Sequence, residues 1–334
     1  MYVGTMQENC LKASGITIGE TVKTSCFEQR IKEGDRDCMK TEIYKKKSGE
    51  TEIGKTENDN GQEEKRMEEK ETKISAARLY RHYISVIVRS KMQYKKSFFM
   101  YSLGTFLVSF NVFAGIFFMF RRFSNVKGFT YSEVLLCYSI VLMAFSLAEM
   151  FARGFDTFPR MVRTGSFDRL LLRPRSIVLQ VLGSQFELTR FGRLLQAVLL
   201  LAYGIWKSDV RWTFEKAMTV VFMIVGGTAL FSGFFIVYAS LSFFTLEGLE
   251  FMNIFTNGLK EYGKYPMGIY GKGLLWIMTF LIPFALVQYY PLLYLLDRRS
   301  GAGYIFLPLA AGLFLVPCYL LWRYGVRHYK SSGS

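Results

Sequence analysis

From Phe98 to Phe120 the chain runs for 23 residues without a charged side chain. At about 1.5 Å of rise per residue, a helix of that length crosses the roughly 30 Å hydrocarbon layer of a bilayer. The same criterion finds Val134–Ala148, extendable to Phe151 across Glu149, and Arg190–Trp206, approached by the amphipathic stretch Ile177–Thr189. Thr219–Phe244, Leu274–Leu295 and Ile305–Trp322 complete the set. The expectation is an all-α polytopic membrane protein with six transmembrane helices, approximately 98–120, 134–151, 190–206, 219–244, 274–295 and 305–322. Segment 245–273, with Lys260, Glu261, Lys264 and Lys272, is too polar to be expected as a span.

Charge divides the chain in two. Residues 1–75 carry 14 basic and 16 acidic side chains, whereas 76–334 carry 28 basic and 11 acidic. Residues 1–75 are too polar to bury enough apolar area to offset about 1–2 kcal/mol of ordering cost per residue, and a disordered tail is expected there. Within it, Gly49-Glu50-Thr51-Glu52-Ile53-Gly54-Lys55-Thr56 matches the G-x-x-x-x-G-K-[ST] pattern letter for letter. That motif holds phosphate between a buried strand and a helix N-terminus. Tyr44-Lys45-Lys46-Lys47-Ser48 before it is no buried strand, so coincidence is the expectation. No apolar stretch precedes residue 76, and the first hydrophobic segment is expected to direct insertion itself.

Segment 76–97 reads as an amphipathic interfacial helix at the membrane surface. Leu79, Tyr83, Val86, Ile87 and Tyr94 share one face, and Arg78, His82, Ser85, Arg89 and Lys96 another. Assigning 76–97, 152–178, 245–272 and 323–334 to one side collects 18 Lys and Arg, against 8 on the other. The positive-inside rule then puts both termini in the cytoplasm of a multi-pass plasma-membrane protein.

Little in this composition supports chemistry. With only His82 and His328, and with Cys10, Cys26 and Cys38 at spacings that fit no metal pattern, neither catalytic residues nor metal ligands are expected. Cys137 and Cys318 lie in apolar runs as small core residues. A membrane enzyme, such as a lipid-modifying one, would need polar groups that converge, and the intramembrane acids are scattered in sequence; a membrane scaffold or sensor needs no such convergence. No nucleic-acid partner is expected.

The loop Arg153–Arg175 has more order than a topogenic basic loop requires. Thr164-Gly165-Ser166 makes a turn with Ser166 as the expected N-cap and Asp168 near the positive helix end. Phe167, Leu170 and Leu171 offer apolar anchors rimmed by arginine, and Arg173-Pro174 ends the short helix. Such a device suits docking into a groove on a soluble partner.

These residues resemble a known family. Arg163-Thr164-Gly165-Ser166-Phe167-Asp168-Arg169-Leu170-Leu171-Leu172-Arg173-Pro174 is similar to the R-x-G-x-x-D-x-x-L-x-R-P signature of a bacterial branch of ABC-2-type permeases. Phe186–Arg193, Glu261–Pro266 with Ile269-Tyr270, and Leu281–Ala285 with Tyr290-Pro291 resemble further elements of that branch in order. The resemblance covers about residues 76–330. It implies a permease subunit of an ATP-binding cassette transporter, expected to be an exporter, without an ATPase of its own. Its implied partners are an ABC ATPase subunit, which would bind ATP and Mg, and a second permease, paralogous or identical, within the lipid bilayer. It implies that 153–175 is the coupling helix and 76–97 the connecting helix that accompanies it, with Arg163, Gly165, Phe167, Asp168, Leu170, Leu171, Arg173 and Pro174 docking the ATPase.

Polar groups at span boundaries are the remaining candidates. Glu149, Glu187, Arg190 and Arg193 carry charges that are costly in the bilayer and need partners. Glu187 and Arg190, three apart, are expected to pair along one helix, as a structural contact or a gate. Pro283 and Pro291 are expected to bend the fifth pass or line a pathway, with Tyr290 on its wall or in an interfacial belt. Asn111 and the small residues Gly226, Gly227, Ala229 and Gly233 read as packing positions.

Overall fold

The structure, a computed structural model, describes residues 76–208, 210–245 and 250–330. The expectations for tail 1–75, including the phosphate-loop match, lie outside the described residues. Among the described residues the elements are helical, apart from one isolated bridge between Val126 and Phe129. The protein is an all-α polytopic membrane protein.

The first helix, α1 (Ala76–Met92), buries part of Leu79, Tyr83 and Ile87 and exposes Arg78, Arg81, His82 and Arg89. It ends sooner than expected. The chain turns at Gln93-Tyr94, leaving Tyr94 73% exposed rather than on the apolar face. From there α2 (Lys95–Arg122) runs 28 residues, and α3 (Tyr131–Phe151) returns. Thr130 and Glu133 form a capping box that fixes where α3 starts.

Four short helices follow: α4 (Arg153–Asp156), α5 (Phe158–Arg163), α6 (Ser166–Leu171) and α7 (Ile177–Ser184). A 3-10 turn at Leu188–Arg190 leads into α8 (Phe191–Lys207), and α9 (Phe214–Leu241) is another 28-residue helix. After α10 (Glu250–Tyr262) and a 3-10 turn at Met267–Tyr270 come α11 (Lys272–Phe280) and α12 (Phe284–Leu295). The chain closes with α13 (Gly303–Gly312) and α14 (Leu315–His328).

Helix α3 is the hub. Of its most apolar window 83% is buried, against 11% for α2, which lies at the periphery. Two pairs of helices meet backbone to backbone. A Cβ built on Gly226 of α9 would stand 2.2 Å from the Pro308 carbonyl oxygen of α13, and one on Gly192 of α8 would stand 2.1 Å from that of Ser102 on α2. Small residues at such crossings let helices gain dispersion contacts that lipid would otherwise supply. Asn111 is exposed on the outer side of α2.

Contacts define two ends of the bundle. At one, the loop end, Phe158 of α5 meets Trp322 of α14 with ring centroids 4.8 Å apart, and the Tyr80 hydroxyl of α1 donates to the Phe151 carbonyl at 3.1 Å. At the far end Arg298 bonds Glu133 at 2.8 Å, and Lys216 pairs with Asp297 at 2.8 Å.

The fifth crossing is not the one expected. Helices α11 and α12 meet at 113°, with Pro283 as the N-cap of α12. Phe284, which begins α12, packs with Val141 and Gly263 beside the middle of α3, while Leu295 ends it at the far end. Segment 272–295 therefore goes in part-way and turns back. The polar segment 250–270 runs along the bundle between its two ends. Lys260 lies over the Phe145 ring near the loop end, the Tyr265 hydroxyl reaches the Met119 sulfur, and the Ile269 carbonyl accepts from Lys127 Nζ at 2.6 Å at the far end. Five helices, α2, α3, α8, α9 and the pair α13–α14, are long and apolar enough to cross a membrane, and the bent pair α11–α12 passes the same test only when taken together.

Segment 250–270 is non-helical at its centre, where carbonyls would go unpaired at a cost. Gln288 of α12 prevents it. Its Nε2 donates to the carbonyls of Gly263 at 3.0 Å and Tyr265 at 2.8 Å, and its Oε1 accepts from the Met267 amide at 3.2 Å. Pro291 sits buried inside α12 without producing the bend.

Candidate functional site

Two features at the loop end stand out. The first is the loop 152–176, which the sequence makes compact by aromatic packing. Phe158 meets Phe167, Phe243 and Trp322 at 5.0, 5.2 and 4.8 Å, and Phe167 meets Tyr329 at 5.0 Å. Such pairs each contribute about 0.5–1.5 kcal/mol beyond their burial. The loop is thereby fastened to the end of α9 and to α14. Buried Gln180 of α7 adds hydrogen bonds to the carbonyls of Leu170 and Arg175, at 3.3 and 3.0 Å, which hold the returning strand of the loop.

The turn before α6 is made by Gly165 at φ 64°, a left-handed conformation that glycine adopts without steric cost. Gly165, rather than the expected Ser166, is the N-cap; Ser166 opens the helix and its hydroxyl lies 2.8 Å from that of Thr164. Asp168 stays in the first turn.

Burial redistributes the expected docking residues. Phe167 is fully buried, so it is a strut of the loop and not an anchor for anything outside it. Its ring meets those of Phe158, Phe243 and Tyr329 within the chain. Leu170 is half-buried. Leu171 and Leu172 are 42% and 85% exposed, and Arg163, Arg169, Arg173 and Pro174 are exposed around them. Leu172 was not singled out by the sequence; the phase of a six-residue helix is too short to read from periodicity.

The second feature is a charged cavity of about 490 Å³ beside the loop. Of the four boundary residues expected to matter, Glu149, Arg190 and Arg193 converge there. Glu149, on α3 and buried, is bonded by Arg193 and lies 3.5 Å from Arg190 and 3.6 Å from Arg153. Arg153 also reaches Asp156 at 2.6 Å. Burial pushes the Asp156 carboxyl above the ordinary carboxylate range, although Arg153 beside it pulls the other way. Lys260 completes the charged lining. Lys260 escaped the sequence reading because its place depends on the path of 250–270, whereas Arg153 and Asp156 meet through local spacing, Arg153 four residues after Glu149 and Asp156 three after Arg153.

Glu187 is elsewhere. The residues 185–187 are not helical, so Glu187 and Arg190 do not share a helix face as expected. Glu187 pairs instead with Lys91 of α1 at 2.8 Å and accepts from the Thr189 hydroxyl at 2.5 Å. Burial alone would raise its pKa, but the bonds from Lys91 and Thr189 outweigh that and hold the carboxyl below its usual range. Pro283 and Tyr290 lie away from the loop end. The Tyr290 hydroxyl lies 3.4 Å from that of Thr279, and the Arg299 guanidinium stands 5.8 Å from its ring centre. Among the described residues, no group of three or more His, Cys, Asp or Glu is placed to hold a metal ion.

Long apolar helices around a buried central one, with a fastened loop at one end, define a multi-pass membrane protein. The chain belongs to the ABC-2 family of transporters: residues 106–333 match the family described as ABC-2 family transporter protein. No curated protein and no solved structure matches the chain.

Proposed function

We propose that this chain is the permease subunit of an ATP-binding cassette exporter, driven by a separate ATPase subunit that docks on the loop 153–175. The observation that carries this reading is the loop's construction. Its interior is locked to α9 and α14 by Phe158, Phe167, Phe243 and Trp322, while Leu171 and Leu172 project outward among Arg163, Arg169 and Arg173. A surface knuckle that is rigid within and apolar at its tip can transmit a displacement to the helices it is fastened to. An ATPase that binds two states of the bundle with different affinity would shift the balance between them.

In this reading ATP and Mg are held by the ATPase, and this chain performs no catalysis. The other half of the transporter is a second permease, identical or paralogous, for which the weakly buried α2 leaves room. The loop end faces the cytoplasm with both termini. Even with the three cations of 245–272 moved to the far end, the loop end keeps 15 Lys and Arg against 11.

The test is co-expression with the candidate ATPase and purification through a tag on the permease. Leu171→Ser together with Leu172→Ser is expected to leave the permease folded and to abolish both co-purification of the ATPase and ATP hydrolysis. Undiminished recovery of the ATPase with that double variant would reject the loop as the docking site.

A further inference from the structure

The cavity beside the loop holds more positive charge than its own acids balance. Four cations line it, Arg153, Arg190, Arg193 and Lys260, and two carboxylates, Glu149 and Asp156. None of the four is a freely solvated surface group: their side chains are between 12% and 26% exposed. Glu149 is shared among three arginines, and Asp156 pairs with one of the same three. Lys260 has a weaker arrangement. Its nearest carboxylate is Glu261 at 3.6 Å, which is half exposed and is bonded more closely by Lys264. The Phe145 ring lies between Lys260 Nζ at 5.1 Å and the Arg193 guanidinium at 5.7 Å, which eases the cations' burial without neutralising them. The Nε of Arg190 is buried and has no hydrogen-bond partner.

Partly buried charge without a counter-charge is expensive, and an unsatisfied buried donor costs about 1–3 kcal/mol more. An anion in the cavity would relieve both at once. The volume lies within the roughly 300–1,000 Å³ typical of small-molecule sites. The cavity also stands at the ends of α3 and α9 and the beginning of α8, the depth at which lipid headgroups meet the helices of a bilayer protein. Tyr238 and Asn257 add neutral polar groups to the lining.

We propose that this cavity binds a phosphate-bearing anion, with Lys260, Arg190 and Arg193 as its principal contacts and Asn257 at its rim. The group can arrive as the headgroup of an acidic amphiphile or as a free phosphate; the chemistry that recognises it is the same. The site belongs to this chain alone, so its occupancy is measurable without any ATPase and stands apart from the docking of one on the loop.

The full chain, purified in a neutral detergent, is titrated with three probes while its thermal unfolding is followed: inorganic phosphate, dihexanoylphosphatidylglycerol and dihexanoylphosphatidylcholine. A ligand that binds the folded state raises the unfolding temperature in proportion to its occupancy. A saturable rise with phosphatidylglycerol but not phosphate assigns the site to a headgroup. A rise with phosphate itself assigns it to the free anion, and phosphatidylcholine is expected to give little of either. Lys260→Gln removes a cation, and Asn257→Asp adds a negative charge at the rim without touching the ion pairs. Each is expected to weaken the apparent affinity about tenfold or more, the scale of one charge-assisted hydrogen bond. Lys260→Arg is expected to retain it. The proposal is overturned if neither anionic probe stabilises the chain, if phosphatidylcholine does so equally, or if Lys260→Gln and Asn257→Asp both respond as the unaltered protein does.

Discussion

Phe158 meets Phe167 nearly edge-on, with ring planes at 80° and centroids 5.0 Å apart, and both side chains are fully buried. The contact joins the two halves of the loop 152–176 across the Gly165 turn, and Trp322 and Phe243 close over Phe158 from the bundle. The loop is thus part of the hydrophobic core.

Phe167→Ala should cost about 3–5 kcal/mol of stability, as large-to-small changes of buried aromatics do. Leu172→Ser, only five residues along the chain but 85% exposed, should change stability by less than about 0.5 kcal/mol. Thermal unfolding of the two variants in detergent separates the strut from the exposed tip. Equal losses would mean that Leu172 is also part of the packed loop.

The path of 250–295 is open to a direct labelling test. Single cysteines at Lys272 and Arg298 should react with a membrane-impermeant maleimide from the same side of sealed vesicles. A cysteine at Ser176, in the exposed loop, should react from the opposite side. Labelling of Lys272→Cys and Arg298→Cys from opposite sides would restore 274–295 as the fifth span and remove 250–270 from that role.

Gln288→Leu keeps the volume of the side chain and removes the groups that bond Gly263, Tyr265 and Met267. Each backbone group left unpaired costs about 1–3 kcal/mol, so the variant should be severely destabilised, and hydrogen exchange should speed up at the Met267 amide. Unchanged exchange there would show that the non-helical centre of the passage is held by something else.

Glu187 supplies a pH dependence whose sign is fixed. Its folded pKa lies below the ordinary 4.5, so its contribution to stability is present above that value and is lost as the pH falls through the folded one. Glu187→Gln should therefore melt earlier than the unaltered protein at pH 7, and the two should converge as the pH drops well below 4.5. Lys91→Met should show the same convergence, because it removes the partner that lowers the pKa. A difference that stays constant down to acid pH would assign the effect to packing.

Much of this architecture was legible without coordinates, because a bilayer demands length and apolarity in consecutive residues. The uncharged run 98–120 could hardly be anything but a long helix, and α2 contains all of it. The turn at Thr164-Gly165-Ser166 and the stop at Arg173-Pro174 likewise announced a built loop, since Gly165 and Pro174 act on their immediate neighbours. The parts that failed were those in which a distant residue decides. Leu274–Leu295 has the composition of a span, yet it bends at Pro283 and turns back, because the polar 250–270 is stabilised in its place by Gln288 from α12 and by Phe145 from α3. Phe167 was an apolar residue in a soluble loop, which is as much as its neighbours in sequence could say. Whether it faces a partner or the core depended on Phe158, Phe243 and Tyr329 arriving from three other segments. Local chemistry set which stretches are long apolar helices in the sequence alone; which polar groups share a cavity, and which apolar ones are spent inside the fold, was decided by tertiary contact, because burial is a property of what surrounds a side chain.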